Sequence, residues 1–136
     1  MNKISVYSVG NKFNRKVKKI SVLSRNVFLS LKKDGYAVEI YLVGDNEIRR
    51  LNKKYRHKDM ATNVLSFCEP KGFISAPSKT KYLGEIYIAP EYVEKRGQNI
   101  KLMVTHGILH LLGYDHIKRT ERVKMERKEA FVLGKV

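Results

Sequence analysis

Cysteine is nearly missing from this chain: Cys68 is the one thiol in 136 residues. An internal disulfide is therefore excluded, which suits a reducing compartment, and a chain of this length can build its stability from a buried core instead. No apolar run approaches the ~20 residues that a membrane-spanning helix needs. The start, Met1-Asn2-Lys3-Ile4-Ser5, lacks the continuous apolar core of a secretion signal. A cytoplasmic location without a membrane partner is the expectation. Repeats, low-complexity tracts and linker-like stretches are absent too, so residues 1–136 read as a single domain. Acidic residues are scarce, 13 Asp and Glu against 28 Lys and Arg, a net charge of +15. That balance favours salt-sensitive association with polyanions, nucleic acid first. An anionic membrane surface is a poorer partner, because no helix joins a dense basic face to a broad apolar one.

What is present reads in order as follows. Lys3 to Val9 alternates apolar and polar residues as a short strand does. Phe13, Val17, Ile20, Val27 and Leu31 follow helical spacing, with Asn11 or Asn14 available as a cap. Asp34-Gly35 is a turn signal, and Tyr36 to Val43 is apolar enough for a strand buried on both faces. Asp45 can cap a helix carrying Ile48, Leu51 and Tyr55. Asn63 to Phe67 and Tyr82 to Ala89 read as strands flanking a polar loop with Pro70, Gly72 and Pro77. Pro90 suits a first helical turn, Gly97 ends that helix, a further helix spans about Ile100 to Leu112, and a charged one about Arg119 to Phe131. The mixture predicts an α+β domain.

Three of the four histidines fall in one stretch, Thr105 to His116, T-H-G-I-L-H-L-L-G-Y-D-H. His106 and His110 are four residues apart, so a helix sets both imidazoles on one face. Gly113 can take the left-handed conformation that ends such a helix, and the chain can then return His116 to the same point. Three imidazoles leave a fourth position open, the donor set of a catalytic zinc rather than a structural one. The offsets of His106, His110, Gly113 and His116 equal those of the metzincin protease pattern H-E-x-x-H-x-x-G-x-x-H. Gly107 stands where those proteases carry the glutamate base. A hydrolytic metal site is expected, and peptide hydrolysis by that base is not. One histidine on an amphipathic helix would be an ordinary core or surface residue; three at this spacing point to metal. Ile108, Leu109, Leu111 and Leu112 are expected to seat the helix in the core, and Glu126 and Glu129 to be solvated or paired with lysines.

A second stretch, Leu51 to Phe67, reads L-N-K-K-Y-R-H-K-D-M-A-T-N-V-L-S-F. It leaves a helix, crosses a polar loop and enters a strand, a common place for functional groups on a rigid frame. Arg56 marks the helix end. Its guanidinium can clamp a phosphate and hold developing charge, or simply serve as a cation favoured by the helix dipole. Thr62, Asn63 and Ser66 either line a cleft or supply turn hydrogen bonds.

Together these blocks resemble the YbeY family of bacterial and organellar metal-dependent endoribonucleases. The pattern H-G-x-L-H-L-x-G-Y-D-H is matched from His106 to His116. The pattern N-x-x-Y/F-R-x-K-D-x-x-T-N/D-V-L-S-F is matched from Asn52 to Phe67, and L-G-D/E-I-x-I-x-P-E from Leu83 to Glu91. The resemblance covers nearly the whole chain. It implies a zincin-like α+β fold, a small mixed four-stranded sheet packed with about five helices, and a metal site on a helix and the turn after it. It further implies one zinc per chain, held by His106, His110 and His116 plus a water, with Arg56 facing the metal across the cleft and His110 and Arg56 as the catalytic pair. The family trims precursor rRNA, notably near the 3′ end of the small-subunit RNA, and supports ribosome quality control. Single-stranded RNA and the small ribosomal subunit are the implied partners; a protein partner would be a ribosomal protein or an assembly GTPase.

Zinc held by three neutral imidazoles lowers the pKa of its water to about 7. Attack on an RNA phosphodiester could follow, with Arg56 neutralising the charge, or the ribose 2′-hydroxyl could be activated instead. Asp115, Asp59 and His57 are base candidates by position in the sequence; Asp115 is equally a carboxylate orienting an imidazole or a turn residue. His57, Lys58 and Thr62 are candidate RNA contacts. Two other readings stay open: a zinc-stabilised ribosome assembly factor without catalysis, and a metallohydrolase of another phosphoester. The segment from Pro90 to His106 is shorter than is usual in the family, Cys68 stands where Pro is frequent, and His57 where Gly is common.

Overall fold

A computed structural model describes residues 1–69, 80–114 and 117–136. The chain alternates strands and helices: β1 (Lys3–Ser8), α1 (Asn14–Ser30), β2 (Tyr36–Leu42), α2 (Asp45–Arg56), β3 (Val64–Cys68), β4 (Lys81–Ile88), α3 (Pro90–Lys95), α4 (Ile100–Leu111) and α5 (Arg119–Leu133). One four-stranded mixed sheet results, in the order β1-β2-β4-β3. β1, β2 and β4 run parallel, and β3 pairs antiparallel with β4. The α+β architecture with five helices agrees with the sequence reading.

Alternation of side chains assigns the two faces of the sheet. Ile4, Val38, Ile40, Leu42, Ile86 and Ile88 point to one side, where they form a single core with Ile20, Val27 and Phe28 of α1 and Val104, Ile108 and Leu111 of α4. A smaller core on the other face joins Ile48 and Leu51 of α2 to Val43, Leu65 and Ala89. α4 is buried almost all round, with Met103, Val104, Thr105, Gly107, Ile108, Leu109 and Leu111 shielded from water. A helix apolar on every side belongs in the middle of a domain, and this one lies among α1, α3, α5, β3 and β4. It is the frame for its own histidines.

β2 departs from the expectation of burial on both faces. Val38, Ile40 and Leu42 are buried, whereas Ala37, Glu39 and Tyr41 are half-buried. α2 covers only part of that side, and stacked tyrosines cover the rest. Tyr7, Tyr41 and Tyr87 occupy one cross-strand row, with ring centroids 5.3 and 5.0 Å apart, a packing that ties three strands together. Glu39 accepts hydrogen bonds from Tyr41 and Tyr82. Burial, reinforced by the Glu39 carboxylate, pushes the Tyr41 phenol up to about 12. Burial also raises Tyr82 and Tyr87, with Glu39 and Glu85 respectively as bonded partners.

The helix ends differ from the expected caps. α1 starts at Asn14 without a side-chain cap; instead Ser8 Oγ accepts from the Phe13 N–H at 3.1 Å. Asp45 sits inside the first turn of α2 after Gly44, where its charge favours the dipole. Asn99 caps α4 by accepting from the Lys101 N–H at 2.9 Å.

Gly84 is the one strand residue that needs to be glycine. Its φ of +137° is hostile to L side chains, and an added Cβ would run into the Phe67 carbonyl oxygen on β3. The β2–β4 register shifts just there, between Ala37 and Val38. Gly84→Ala is expected to cost roughly 3 kcal/mol or more, since backbone strain adds to a clash that no rotamer relieves. Chemical denaturation measures it, and a loss below about 1 kcal/mol would mean that the strand pair opens without difficulty.

Candidate metal centre and its cleft

Helical geometry does what the spacing required of α4. His106 and His110 lie on one face, and both line a cavity of about 550 Å³. α4 ends as expected. Gly113 adopts φ +103°, its N–H reaches the His110 carbonyl at 3.1 Å, and the Tyr114 N–H reaches the Leu109 carbonyl at 3.1 Å. These bonds close the helix at Gly113 and Tyr114. His116 and Asp115, the expected third ligand and its neighbour, lie outside the described residues, as do Pro70, Gly72 and Pro77.

The other wall of the cavity comes from the Asn52–Ser66 stretch, and Arg56 belongs to it. α2 stops at Arg56 because His57 takes a left-handed conformation, φ 59° and ψ 31°. Arg56 Nη2 donates to the Ser66 carbonyl at 2.9 Å, and its guanidinium lies 4.9 Å from the centre of the Phe67 ring. Ser66 is on β3, an edge strand, where outward carbonyls have no strand partner. Asn52 is buried in α2 and donates to the Met60 carbonyl at 2.9 Å, holding the loop against the helix. Of the other candidates, Lys58 and Thr62 also line the cavity. His57 and Asp59 are exposed and are not among its lining residues. Asp59 is bound by Arg49 at 2.8 Å, and that hydrogen bond holds its carboxyl below the usual range. Asn63 and Ser66 line the cavity as well, and Asn63 also serves the turn: its side chain accepts from the Val64 N–H and donates to Gln98.

Each imidazole has a partner at Nδ1. His106 Nδ1 lies 3.1 Å from Glu129 Oε2, and His110 Nδ1 lies 3.4 Å from the Tyr114 carbonyl oxygen. Both partners can accept, so the contacts suit a tautomer in which Nδ1 donates and Nε2 would be the ligating atom. That is how histidine ligands are usually set. Two imidazoles on one face of a rigid helix, beside a cavity large enough for a substrate group, fit a zinc-type ion. Among the described residues no group of three His, Cys, Asp or Glu converges.

Glu129 departs from the sequence reading. Its carboxylate is only 13% exposed and meets His106 rather than solvent or a lysine. Its place between Met125 and Val132, the buried residues of α5, was a usable signal: an acid in an apolar stripe faces inward. Gly107 also gains a reason. A Cβ there would lie 3.0 Å from Ile86 Cγ2 and 3.1 Å from Cδ1. Position 107 presses on the sheet and is not among the residues that line the cavity, so a side chain there points away from His106 and His110.

A family model described as endoribonuclease YbeY matches residues 3–136. The chain belongs to the endoribonuclease YbeY family. Relatives of that name share 35% identity over 129 residues in Roseiflexus castenholzii, covering 84% of this chain and 81% of that one. In Aquifex aeolicus the figure is 39% over 108 residues, covering 73% and 69%. In Finegoldia magna it is 38% over 114 residues, covering 78% and 72%. The solution structure of TM1509 from Thermotoga maritima superposes with a TM-score of 0.52 at 25% identity, covering 96% of this chain and 89% of that one. Membership makes the chain an endoribonuclease, a hydrolase of RNA, and metal dependence comes with the family. Among the described residues no helix is long and apolar enough to cross a membrane.

Proposed function

We propose that this chain cuts single-stranded RNA during rRNA processing, using zinc held by His106, His110 and His116 and the guanidinium of Arg56 at the phosphate. The observation that carries this reading is the meeting of His106 and His110 with Arg56 across one cavity. When bound, the metal supplies Lewis acidity and a water that ionises near neutral pH. The residues of the chain do the rest. The two histidines would present Nε2, a reading supported by Glu129 and the Tyr114 carbonyl lying beside Nδ1. Arg56 offers several N–H donors on a planar, permanently charged group, suited to the charge that builds on phosphate oxygens. Its bond to Ser66 and its packing over Phe67 limit its freedom, so little reorganisation is needed when a phosphate arrives. Lys58 and Thr62, on the same wall, would meet the RNA backbone. The net charge of +15 supports binding of a polyanion that weakens as salt rises. The proposed setting is the small ribosomal subunit in the cytoplasm, with a ribosomal protein or an assembly GTPase as the protein contact.

The test is cleavage of a single-stranded RNA carrying a small-subunit 3′-end sequence, with a DNA of the same sequence alongside. Cutting of the RNA by the purified chain is expected to vanish on chelation and return with zinc. Equal cutting with and without metal would sink the reading.

A further inference from the structure

The carboxylate behind His106 has a consequence for metal affinity. Glu129 is on α5, a helix otherwise joined to the domain by the buried Met125 and Val132. Its side chain is shielded from water, and its oxygen lies 3.1 Å from His106 Nδ1. In a chain with 28 cationic side chains, a mostly buried carboxylate would be expected to take a lysine or an arginine. This one takes an imidazole that faces the cleft. Burial strengthens such a contact, because water competes poorly for either partner and the surrounding dielectric is low.

We propose that Glu129 is the positioning residue of His106: it accepts the Nδ1 proton, fixes the tautomer and the ring plane, and so raises the affinity of Nε2 for the metal. The inference rests on the reading of His106 as a ligand. Its physical basis is general. A carboxylate behind an imidazole increases the basicity of the far nitrogen and removes the entropy of ring rotation, and loss of such a partner typically lowers metal affinity about 10–100-fold. It also gives α5 a task. The helix C-terminal to the histidine motif becomes part of the metal centre, so loosening α5 would loosen the metal. The His110 Nδ1 lies 3.4 Å from a backbone carbonyl, which no side-chain substitution removes, whereas Glu129 is a side chain through which the affinity of the site can be altered without touching a ligand.

Zinc affinity of the full chain, read by competition with a chromophoric chelator, tests this in four variants: Glu129→Leu, Glu129→Gln, His106→Ala and His110→Ala. Leu keeps the volume and removes the acceptor; Gln keeps an acceptor oxygen and removes the charge. Glu129→Leu is expected to bind zinc about 10–100-fold more weakly, Glu129→Gln to lose less, and the metal-free melting temperature of both to stay near that of the native chain. If Glu129 merely fastened α5 to α4, the metal-free melting temperature would fall while zinc affinity stayed, and the proposal would be overturned. Native-like zinc affinity in Glu129→Leu overturns it as well. Should Glu129→Leu fail to fold, Glu129→Gln decides: weaker zinc supports the role, and unchanged zinc removes it. The alanine variants keep the two ideas separate. Zinc binding untouched by His106→Ala would end the ligand assignment itself, whereas weakening by His106→Ala with none from Glu129 would end only the positioning role.

Discussion

Arg56→Ala is expected to slow RNA cleavage by about 10²–10³-fold while leaving the chain folded and its zinc bound. The size follows from what a single donor to developing negative charge is worth in a preorganised site, about 3–4 kcal/mol of barrier. The cost to stability is much smaller. Arg56 is exposed and makes one hydrogen bond, to the Ser66 carbonyl, and one ring contact, with Phe67, together about 1–2 kcal/mol. Rate and stability therefore separate cleanly at this residue. Single-turnover cleavage at saturating enzyme, zinc content and a melting curve are the three readings needed. Arg56→Lys retains the charge but not the planar fork, and should recover only part of the rate. A rate for Arg56→Ala within about threefold of native, with zinc intact, would assign the arginine to the helix end and remove it from the chemistry.

His110→Ala is expected to abolish both zinc binding and cleavage, with affinity falling more than ~100-fold, beyond what the loss of a supporting partner costs. Here the two readings should move together. His110 sits in the last turn of α4, half-buried, with Nδ1 toward the Tyr114 carbonyl. Its removal would take a donor from the proposed metal site and leave a small gap at the cleft wall, well away from Val104 and Ile108, which hold α4 in the core. The fold should persist, because α4 is seated by apolar contacts on its other faces. Metal content by mass spectrometry and the same RNA assay check this. Full activity without zinc would exclude the metal mechanism. Retained zinc without activity would move His110 from the ligand set to the chemistry.

Much of the candidate site was legible before any coordinates, and the reason is local. A spacing of four on a helix places two imidazoles together wherever the helix goes, so His106 and His110 needed only helical periodicity to be paired. Gly113 was readable for the same reason: a helix end that turns back requires a left-handed residue, and it has φ +103°. Strand positions followed from alternation and turn residues, and most boundaries agree within two residues. β2 was read as buried on both faces because its run is apolar; Tyr41 and Glu39 were not recognised as a hydrogen-bonded pair facing partly outward. Caps were misplaced where the backbone chose a different partner, as at Phe13 and Gly44. Glu129 was read as a solvated helix residue because charge usually means surface, and the apolar neighbours three and four positions away were given too little weight.

By itself the sequence determined the element order, the α+β class, the helical pair of histidines with its terminating glycine, and the absence of a protease's glutamate. All of these depend on neighbours within a few residues along the chain. Only the tertiary structure decided that Arg56 shares a cavity with those histidines, that Asp59 is occupied by Arg49, that Gly107 presses on Ile86, and that Glu129 stands behind His106. Each of these joins segments far apart in the chain. Such contacts depend on which face of the sheet each helix covers and on how closely α4 and α5 approach. That is set by the packing of the whole core, and no local spacing encodes it.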